Sequence, residues 1–138
     1  MIETYRGMVY PNQLDNMGHM NVQWYAAKFD EATWQLFSAI GITSEYVRDQ
    51  NKGMAAVEQI TKYKSEVTSG DLLFIRSKVL EIKEKIVKLL HIMYDAETLE
   101  EVASTELVAV HLDREKRTSC PFPSQIKRRC IDLFNIPT

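Results

Sequence analysis

The feature that most constrains the fold is one long stretch of helical periodicity near the start of the chain. Its apolar residues recur at the three- and four-residue spacing of a helix face: Tyr25, Phe29, Ala32, Leu36 and Ile40. Asn21 is a good N-cap and Gly41 is a good C-terminal stop, so the pattern predicts a helix over about 22–40. At ~1.5 Å per residue, this helix is long enough to cross a small domain.

Strands dominate the remaining sequence, because β-favouring residues stand there between turn residues. The predicted strands cover 3–10, 54–67, 70–82, 86–96 and 102–112. A turn at Gly70 and Asp71 announces the third strand, and "KEK" at 83–85 forms the hairpin tip that follows it.

Two short helices are expected outside the strands. Residues 43–51 form the first, with Thr43 or Ser44 as its N-cap. The second follows Pro121 and Pro123 near the end of the chain. Its apolar stripe consists of Ile126, Cys130, Leu133 and Phe134.

The stretch 86–94 is apolar on both faces, and both faces of its sheet therefore need cover. The two sets of apolar residues are Ile86, Leu90 and Ile92 on one face and Val87, Leu89 and Met93 on the other. The long helix can cover one face, and the other needs a second subunit. We therefore predict one antiparallel α+β domain over 1–138, with about five strands mostly in successive hairpins, that forms homo-oligomers.

Composition excludes several classes of function. The chain has 138 residues, 45% hydrophobic and 26% charged, and its net charge is -2, so we expect a soluble domain that binds no nucleic acid. Cys120 and Cys130 are too sparse for a disulfide framework and predict a cytoplasmic protein. We expect no signal peptide and no membrane span. His19, His91 and His111 lack partners at metal-ligand spacing, so no metal is expected.

The loop before the long helix carries the motif with the most chemical content. In "YPNQLDNMGHMN", residues 10–21, Asp15 stands three residues before Gly18 and His19. On the residues alone, Asp15 is either a turn residue that accepts hydrogen bonds from nearby backbone N–H groups or a catalytic carboxylate. His19 is expected to hold the loop by hydrogen bonding, and Asn21 to cap the helix.

Four features follow one another along the chain: "LDNMGHMN" before the helix, Tyr25 within it, "SGDLL" at the start of a strand, and the hairpin tip "KEK". With these the chain resembles the hotdog-fold acyl-CoA thioesterases, in the single-domain group that includes 4-hydroxybenzoyl-CoA thioesterase. The resemblance covers nearly the whole chain and implies a curved antiparallel sheet wrapped around a long central helix. Through "GMAAV" and "SCPFP" the chain also resembles a subgroup associated with carnitine breakdown, which acts on betainyl-CoA.

The family pattern before the helix is Asp, two residues, Gly-His, an apolar residue and often two asparagines. Val22 replaces the second asparagine, and the resemblance implies that its backbone N–H binds the thioester oxygen. The free N–H groups and positive dipole of a first helical turn stabilise the oxyanion that develops there. Asp15 then acts from the other side of the carbonyl, as a nucleophile or as a general base for water. Gly18 lets the chain turn tightly and approach the substrate.

The resemblance places the phosphates of coenzyme A at the hairpin tip, on Lys83 and Lys85, with Arg128 and Arg129 as further candidates. Three aromatic residues on or near the long helix are candidates for the acyl pocket: Trp24, Tyr25 and Trp34. Core packing is the ordinary role of aromatic residues at this spacing. Aromatic rings also hold a trimethylammonium group by cation–π attraction, which would suit betainyl-CoA.

The expected activity is hydrolysis of a small acyl-CoA to the free acid and coenzyme A, without a metal or cofactor. The resemblance further implies a homodimer or homotetramer with its active site near a subunit interface. Two alternatives stay open: an enoyl-CoA hydratase of the same fold, and a non-catalytic acyl-CoA-binding module. Such hydratases use an Asp/His pair in a different local pattern, and a module that only binds an anionic ligand gains nothing from Asp15.

Overall fold

The computed structural model describes residues 1–137 of the chain. Within these residues it contains three α-helices: α1 (Val22–Ala39), α2 (Ser44–Gln50) and α3 (Ser124–Phe134). The strands are β1 (Ile2–Met8), β2 (Lys52–Tyr63), β3 (Leu72–Ile82), β4 (Ile86–Asp95), β5 (Glu101–Asp113) and β6 (Thr118–Ser119). A 3-10 turn, Pro11–Gln13, lies between β1 and α1. In the described chain, no helix is long and apolar enough to cross a membrane.

Local sequence determines the ends of α1, as predicted. The Asn21 side chain accepts a hydrogen bond from the backbone N–H of Gln23 at 3.0 Å and so caps the N-terminus. Beyond the C-terminus, Gly41 has a φ of 101°, in the left-handed region that favours glycine. Thr43 caps α2 by accepting a hydrogen bond from the N–H of Tyr46 at 3.1 Å.

The five longer strands lie in the order β1-β3-β4-β5-β2, and β6 pairs with β5. The predicted succession of hairpins holds for β3, β4 and β5, whereas β2 pairs with β5 and not with β3. β2 also ends at Tyr63, so the prediction of a strand to residue 67 is wrong. The N–H groups of Lys64 and Ser65 both donate to the Val102 carbonyl, at 2.9 and 3.1 Å, and a regular ladder cannot continue through such a pair.

By its contacts the chain divides into two compact units. The first comprises 1–35, 61–77 and 91–105, and in it one face of α1 packs against buried strand residues. The core of this unit contains Val9, Met20, Tyr25, Phe29, Ala32, Val67, Leu73, Ile75, Met93, Val102 and Ala103. Burial of a side chain as large as Phe29 contributes about 1.5–3 kcal/mol.

The second unit comprises 36–60, 78–90 and the residues from 106 onward. Its buried apolar residues include Leu36, Ile40, Val79, Val87, Leu89, Leu107, Ile126 and Cys130. The predicted apolar stripe of α3 is wrong at Leu133, which is 44% exposed. In the described part of α3, the buried residues are Ile126 and Cys130, and Leu133 lies in the turn beyond them.

Strand β4 has one buried face and one partly covered face. Val87, Leu89, His91 and Met93 are buried, whereas the residues between them are half-buried. A single chain therefore covers only one of the two apolar faces among the residues described. The second subunit predicted to cover the other face stays a prediction.

Candidate active site

The loop between β1 and α1 is a tight, hydrogen-bonded turn. The N–H of Asp15 donates to the His19 carbonyl at 2.9 Å, and the N–H of Gly18 donates to the Asp15 carbonyl at 3.1 Å. Gly18 has a φ of 85°, which a residue with a side chain adopts only with strain. The N–H of Met20 donates to the Val67 carbonyl at 2.8 Å, so the segment after β2 is held against this loop.

A cavity of about 290 Å³ lies between the loop, the first turn of α1 and the end of β2. Its lining residues are Asp15, His19, Met20, Val22, Tyr25, Tyr63, Lys64, Ser65 and Glu66. Four of them, Asp15, His19, Val22 and Tyr25, are predicted site residues. The volume is at the lower end of the ~300–1,000 Å³ that ligand pockets occupy, which suits a small group.

The two oxygens of Asp15 have different surroundings. Oδ1 accepts a hydrogen bond from the N–H of Met17 at 2.8 Å, as expected of a turn residue. Oδ2 lies 3.7 Å from Nδ1 of His19, and the side chain is 27% exposed. The turn therefore uses one oxygen and leaves the other available to the cavity.

The backbone N–H of Val22 is the free amide of the first turn of α1. The next two amides are satisfied by Asn21, whose side chain binds the N–H of Gln23 and whose carbonyl binds that of Trp24 at 2.9 Å. Within residues 1–137, the N–H of Val22 has no hydrogen-bond partner. Val22 is among the residues that line the cavity, so the first residue of α1, which carries this free N–H and the positive end of the helix dipole, is part of the cavity wall.

His19 lies between two carboxylates. Its Nδ1 is 3.7 Å from Asp15 Oδ2, and its Nε2 is 3.7 Å from Glu66 Oε1. Both distances exceed those of a good hydrogen bond, so the imidazole is near both acids without being tightly bound to either. The Glu66 side chain is 80% exposed, and Glu66 is one of the residues that line the cavity.

Tyr25 and Tyr63 form an aromatic pair in the cavity wall. Their ring centroids are 5.1 Å apart and their planes meet at 83°, an edge-to-face contact. Burial raises the pKa of Tyr25, and the charges of Tyr63, Glu66 and Asp15 add to the rise, so its hydroxyl stays protonated near neutral pH. That hydroxyl donates to the Ser65 carbonyl at 3.5 Å.

The two tryptophans lie elsewhere. Trp24 is partly buried and packs against the core of the first unit, and Trp34 is 47% exposed on α1. In the part of the chain that the structure describes, neither ring lines the cavity.

Sequence reasoning missed the wall formed by the end of β2. The sequence predicts a strand through Tyr63, Lys64, Ser65 and Glu66. In the structure Tyr63 ends β2, the other three follow it outside the strand, and all four line the cavity. The available signal was the charge-rich stretch "KYKSE", which has too little apolar periodicity for a continuing strand.

The residues predicted to bind coenzyme A lie in the second unit. Lys83 and Lys85 are exposed on the tip between β3 and β4, where the N–H of Lys83 donates to the Ile86 carbonyl at 2.8 Å. The ammonium group of Lys83 lies 3.5 Å from Glu81. Arg128 is exposed and lines a separate cavity of about 390 Å³ on α3.

The other two histidines are buried hydrogen-bonding residues. His91 contacts the hydroxyls of Ser77 at 2.5 Å and Thr33 at 2.8 Å. His111 contacts the Tyr46 hydroxyl at 2.8 Å. Over the described residues, no group of three or more His, Cys, Asp or Glu side chains is placed to hold a metal ion.

This α+β fold has one cavity lined by a residue with a carboxylate and by the first residue of a helix, whose backbone N–H is free. A hydrolase that stabilises an oxyanion, and needs no serine or cysteine nucleophile, can be built from these two groups. Over residues 9–130 the sequence matches the thioesterase-like superfamily, and the chain belongs to that superfamily. The predicted enzyme class, a thioester hydrolase, is thereby confirmed.

Among curated proteins, the chain is similar to the betainyl-CoA thioesterase of Pseudomonas aeruginosa, with 24% identity over 94% of this chain and 81% of that protein. It is also similar to the L-carnitine dehydrogenase/betainyl-CoA thioesterase of Rhizobium sp, with 26% identity over 82% of this chain. The matched part is 22% of the length of the Rhizobium protein.

Solved structures confirm the predicted hotdog fold. A Staphylococcus aureus protein in complex with CoA has a TM-score of 0.89 at 19% identity, over 100% of this chain and 89% of that one. The 1,4-dihydroxy-2-naphthoyl-CoA thioesterase of Synechocystis has a TM-score of 0.81 at 16% identity, over 94% and 95%. A gentisyl-coenzyme A thioesterase has a TM-score of 0.77 at 24% identity, over 91% and 97%.

Proposed function

We propose that this chain hydrolyses a small acyl-CoA to the free acid and coenzyme A. The observation that carries the proposal is that Asp15 and Val22 line the same cavity, and that the backbone N–H of Val22 has no hydrogen-bond partner among the described residues. A thioester carbonyl between them would have its oxygen at the amide and its carbon open to Asp15.

Two chemical routes fit this arrangement. In one, Asp15 attacks the carbonyl carbon, the C–S bond breaks, and water then hydrolyses the mixed anhydride. In the other, Asp15 takes a proton from a water molecule while the oxygen of that water adds to the carbonyl carbon. The C–S bond then breaks and the thiolate leaves. Both routes place negative charge on the carbonyl oxygen, and one N–H donor there contributes about 3–4 kcal/mol. In the general-base route, Asp15 passes the proton that it took from water to the departing thiolate. In the anhydride route, the thiolate takes a proton from solvent, and hydrolysis of the anhydride then returns two protons to solvent as the acid and Asp15 are released as carboxylates.

The remaining loop residues position these groups. Gly18 supplies the left-handed turn, and Asn21 satisfies the second and third amides of α1, which leaves the first for substrate. The imidazole of His19 lies between the carboxylates of Asp15 and Glu66. We assign it no proton transfer, since its contact with Asp15 is longer than a hydrogen bond.

Betainyl-CoA is the proposed substrate within this class. The curated relatives named above support it, because both carry betainyl-CoA thioesterase in their names. The cavity supports it too, because aromatic rings and carboxylates are the groups that attract a trimethylammonium ion.

Thiol release tests the activity. The purified chain should release free coenzyme A from an acyl-CoA panel, and faster from betainyl-CoA than from acetyl-CoA, as followed with a thiol reagent. Binding without thiol release would favour the acyl-CoA-binding module. Loss of enoyl absorbance with crotonyl-CoA, again without thiol, would favour the hydratase. Equal rates with betainyl-CoA and acetyl-CoA would remove the betainyl assignment and leave the thioesterase.

We also propose that Lys83 and Lys85, with Arg128, bind the phosphates of coenzyme A. Replacing both lysines with glutamate should raise KM about two- to fivefold for each lysine and change kcat less, because a phosphate contact contributes to binding and not to the change at the reacting bond. The control is Lys116→Glu at an exposed turn, which matches the charge reversal at either single lysine. An unchanged KM in the double variant contradicts the assignment.

The proposal includes one domain over 1–138 that assembles in the cytoplasm as a homodimer or homotetramer. The half-covered face of β4 supports assembly, as do the exposed Val57 and Ile60 on β2. Light scattering after size exclusion would give the mass directly, and a monomer at micromolar concentration would contradict this part of the proposal.

A further inference from the structure

The charge of the active-site cavity is negative on balance. Lys64 is the one lysine or arginine in its described lining, and its ammonium group lies 2.7 Å from the Glu101 carboxylate, which balances it. Asp15 and Glu66 are the two carboxylates of that lining, and His19 carries at most one positive charge against them. The cavity therefore favours a cationic group in either protonation state of the imidazole.

The position of Glu66 separates it from the reaction itself. It belongs to the segment after β2, whereas Asp15 and Val22 belong to the loop and to α1. Its carboxylate is 80% exposed, and its contact with His19, at 3.7 Å, is too long for a committed hydrogen bond. Glu66 thus adds a solvent-exposed negative charge to the cavity lining, without a close hydrogen-bond partner.

Tyr63 supplies the matching aromatic surface. Its ring is held by the edge-to-face contact with Tyr25, and 52% of Tyr63 remains exposed. An aromatic ring with free surface and a carboxylate that line the same cavity can together bind an alkylammonium ion, through cation–π and Coulomb attraction. Tyr63 and Glu66 are three residues apart on one segment, so one stretch of chain provides both.

We infer that Glu66 and Tyr63 select acyl-CoA esters whose acyl group carries a positive charge. The inference rests on the proposed thioesterase function and adds the residues that determine specificity. Asp15 serves every ester, because it acts at the carbonyl, whereas Glu66 and the ring of Tyr63 act on the charge of the acyl group.

A pair of matched esters tests this inference. Betainyl-CoA and 3,3-dimethylbutanoyl-CoA differ in one atom, a quaternary nitrogen in place of a quaternary carbon, and have nearly the same shape. The readout is the ratio of their kcat/KM values. We expect the wild type to favour the cation. Glu66→Gln should lower the ratio about five- to tenfold, and Glu66→Lys should lower it further.

Tyr63 is tested with two variants. Tyr63→Phe keeps the ring and should keep the ratio within about twofold, whereas Tyr63→Leu removes the ring and should lower the ratio about three- to tenfold. Glu97→Gln is the matched control for charge, because Glu97 is an exposed acid of the same unit that does not belong to the described cavity lining. It should leave the ratio at the wild-type value.

The outcomes separate the two proposals. If the wild type hydrolyses both esters with equal kcat/KM, or if Glu66→Gln and Tyr63→Leu leave the ratio unchanged, the specificity inference is overturned and the thioesterase proposal stands. If no ester of the panel releases thiol, the proposed function is overturned, and the specificity inference with it.

Discussion

Replacing Asp15 with asparagine should lower kcat for acyl-CoA hydrolysis by about 10²–10⁴-fold, the usual contribution of a base or nucleophile in place. The fold should survive, because the amide oxygen of asparagine can still accept the hydrogen bond that Oδ1 takes from the N–H of Met17. The substitution therefore removes the charge near His19 and keeps the turn. Steady-state kinetics with betainyl-CoA and a thermal unfolding curve measure the two effects separately.

Asp95 offers a closely matched control. Its Oδ1 accepts hydrogen bonds from the N–H groups of Glu97 and Thr98, at 2.8 and 2.9 Å, so it also closes a turn with its carboxylate. Asp95→Asn should leave turnover near the wild-type value, because Asp95 is not among the described lining residues of the cavity. Near-normal kcat in Asp15→Asn together with a large loss in Asp15→Ala would assign Asp15 to the turn and reject its catalytic role.

Acidification from pH 7 to pH 5 should lower the free energy of unfolding by about 2 kcal/mol through His91 alone. Burial lowers the pKa of His91 from 6.5 to about 4 in the folded protein. The unfolded chain therefore binds a proton at pH values where the folded chain does not. Stability from this residue is complete above about pH 6.5, falls as the pH drops toward about 4, and changes little below that.

The surroundings of His91 explain why the neutral ring is required. Its two nitrogens contact the hydroxyls of Ser77 and Thr33, and Ser77 in turn contacts the Thr4 hydroxyl at 2.7 Å. The ring is also stacked on Phe29 with centroids 6.0 Å apart. In the neutral ring one nitrogen carries a hydrogen and the other does not. One hydroxyl can accept from the N–H while the other hydroxyl donates to the bare nitrogen, so the neutral ring is satisfied without a counter-ion.

The comparison of His91→Gln with the wild type isolates this effect. Urea unfolding at pH 7, 6 and 5 gives the free energy of unfolding of both chains. The difference between the two free energies at each pH removes the contribution of every titrating group except His91. The variant should be less stable at pH 7 by about 1–3 kcal/mol, since it loses buried hydrogen bonds, and should lose less stability on acidification. Identical pH dependence in the two chains would contradict the assignment of this titration to His91.

Much of the site was predictable because it is local in sequence. Asp15, Gly18, Asn21 and Val22 lie within one turn and one helix start, where cap preference and glycine conformation determine the backbone. In the structure Asn21 caps α1 and Gly18 has a positive φ, as that reasoning expects. The same locality explains why α1 was predicted almost to the residue.

The other wall of the cavity depends on pairing between distant segments. Glu66 reaches His19 because β2 pairs with β5 and because Val67 then binds the N–H of Met20. No local sequence pattern predicts either contact. From the sequence, a strand followed by a turn is expected to pair with the next strand along the chain, which for β2 is β3 and not β5. Trp24 packs against the core and is not among the described lining residues of the cavity. The sequence left its role open for a related reason, since helix periodicity predicts which residues share a face but not what that face contacts.

By itself, the sequence determined the helix, its caps, the turn that carries Asp15 and the family to which the chain belongs. These follow from interactions between residues close along the chain, whose energies do not depend on the rest of the fold. Only the tertiary structure decided that Tyr63 and Glu66 complete the cavity and that His91 is buried as a neutral ring. Those outcomes depend on which strands pair and what they exclude from water, and both are properties of residues brought together from far apart in the chain.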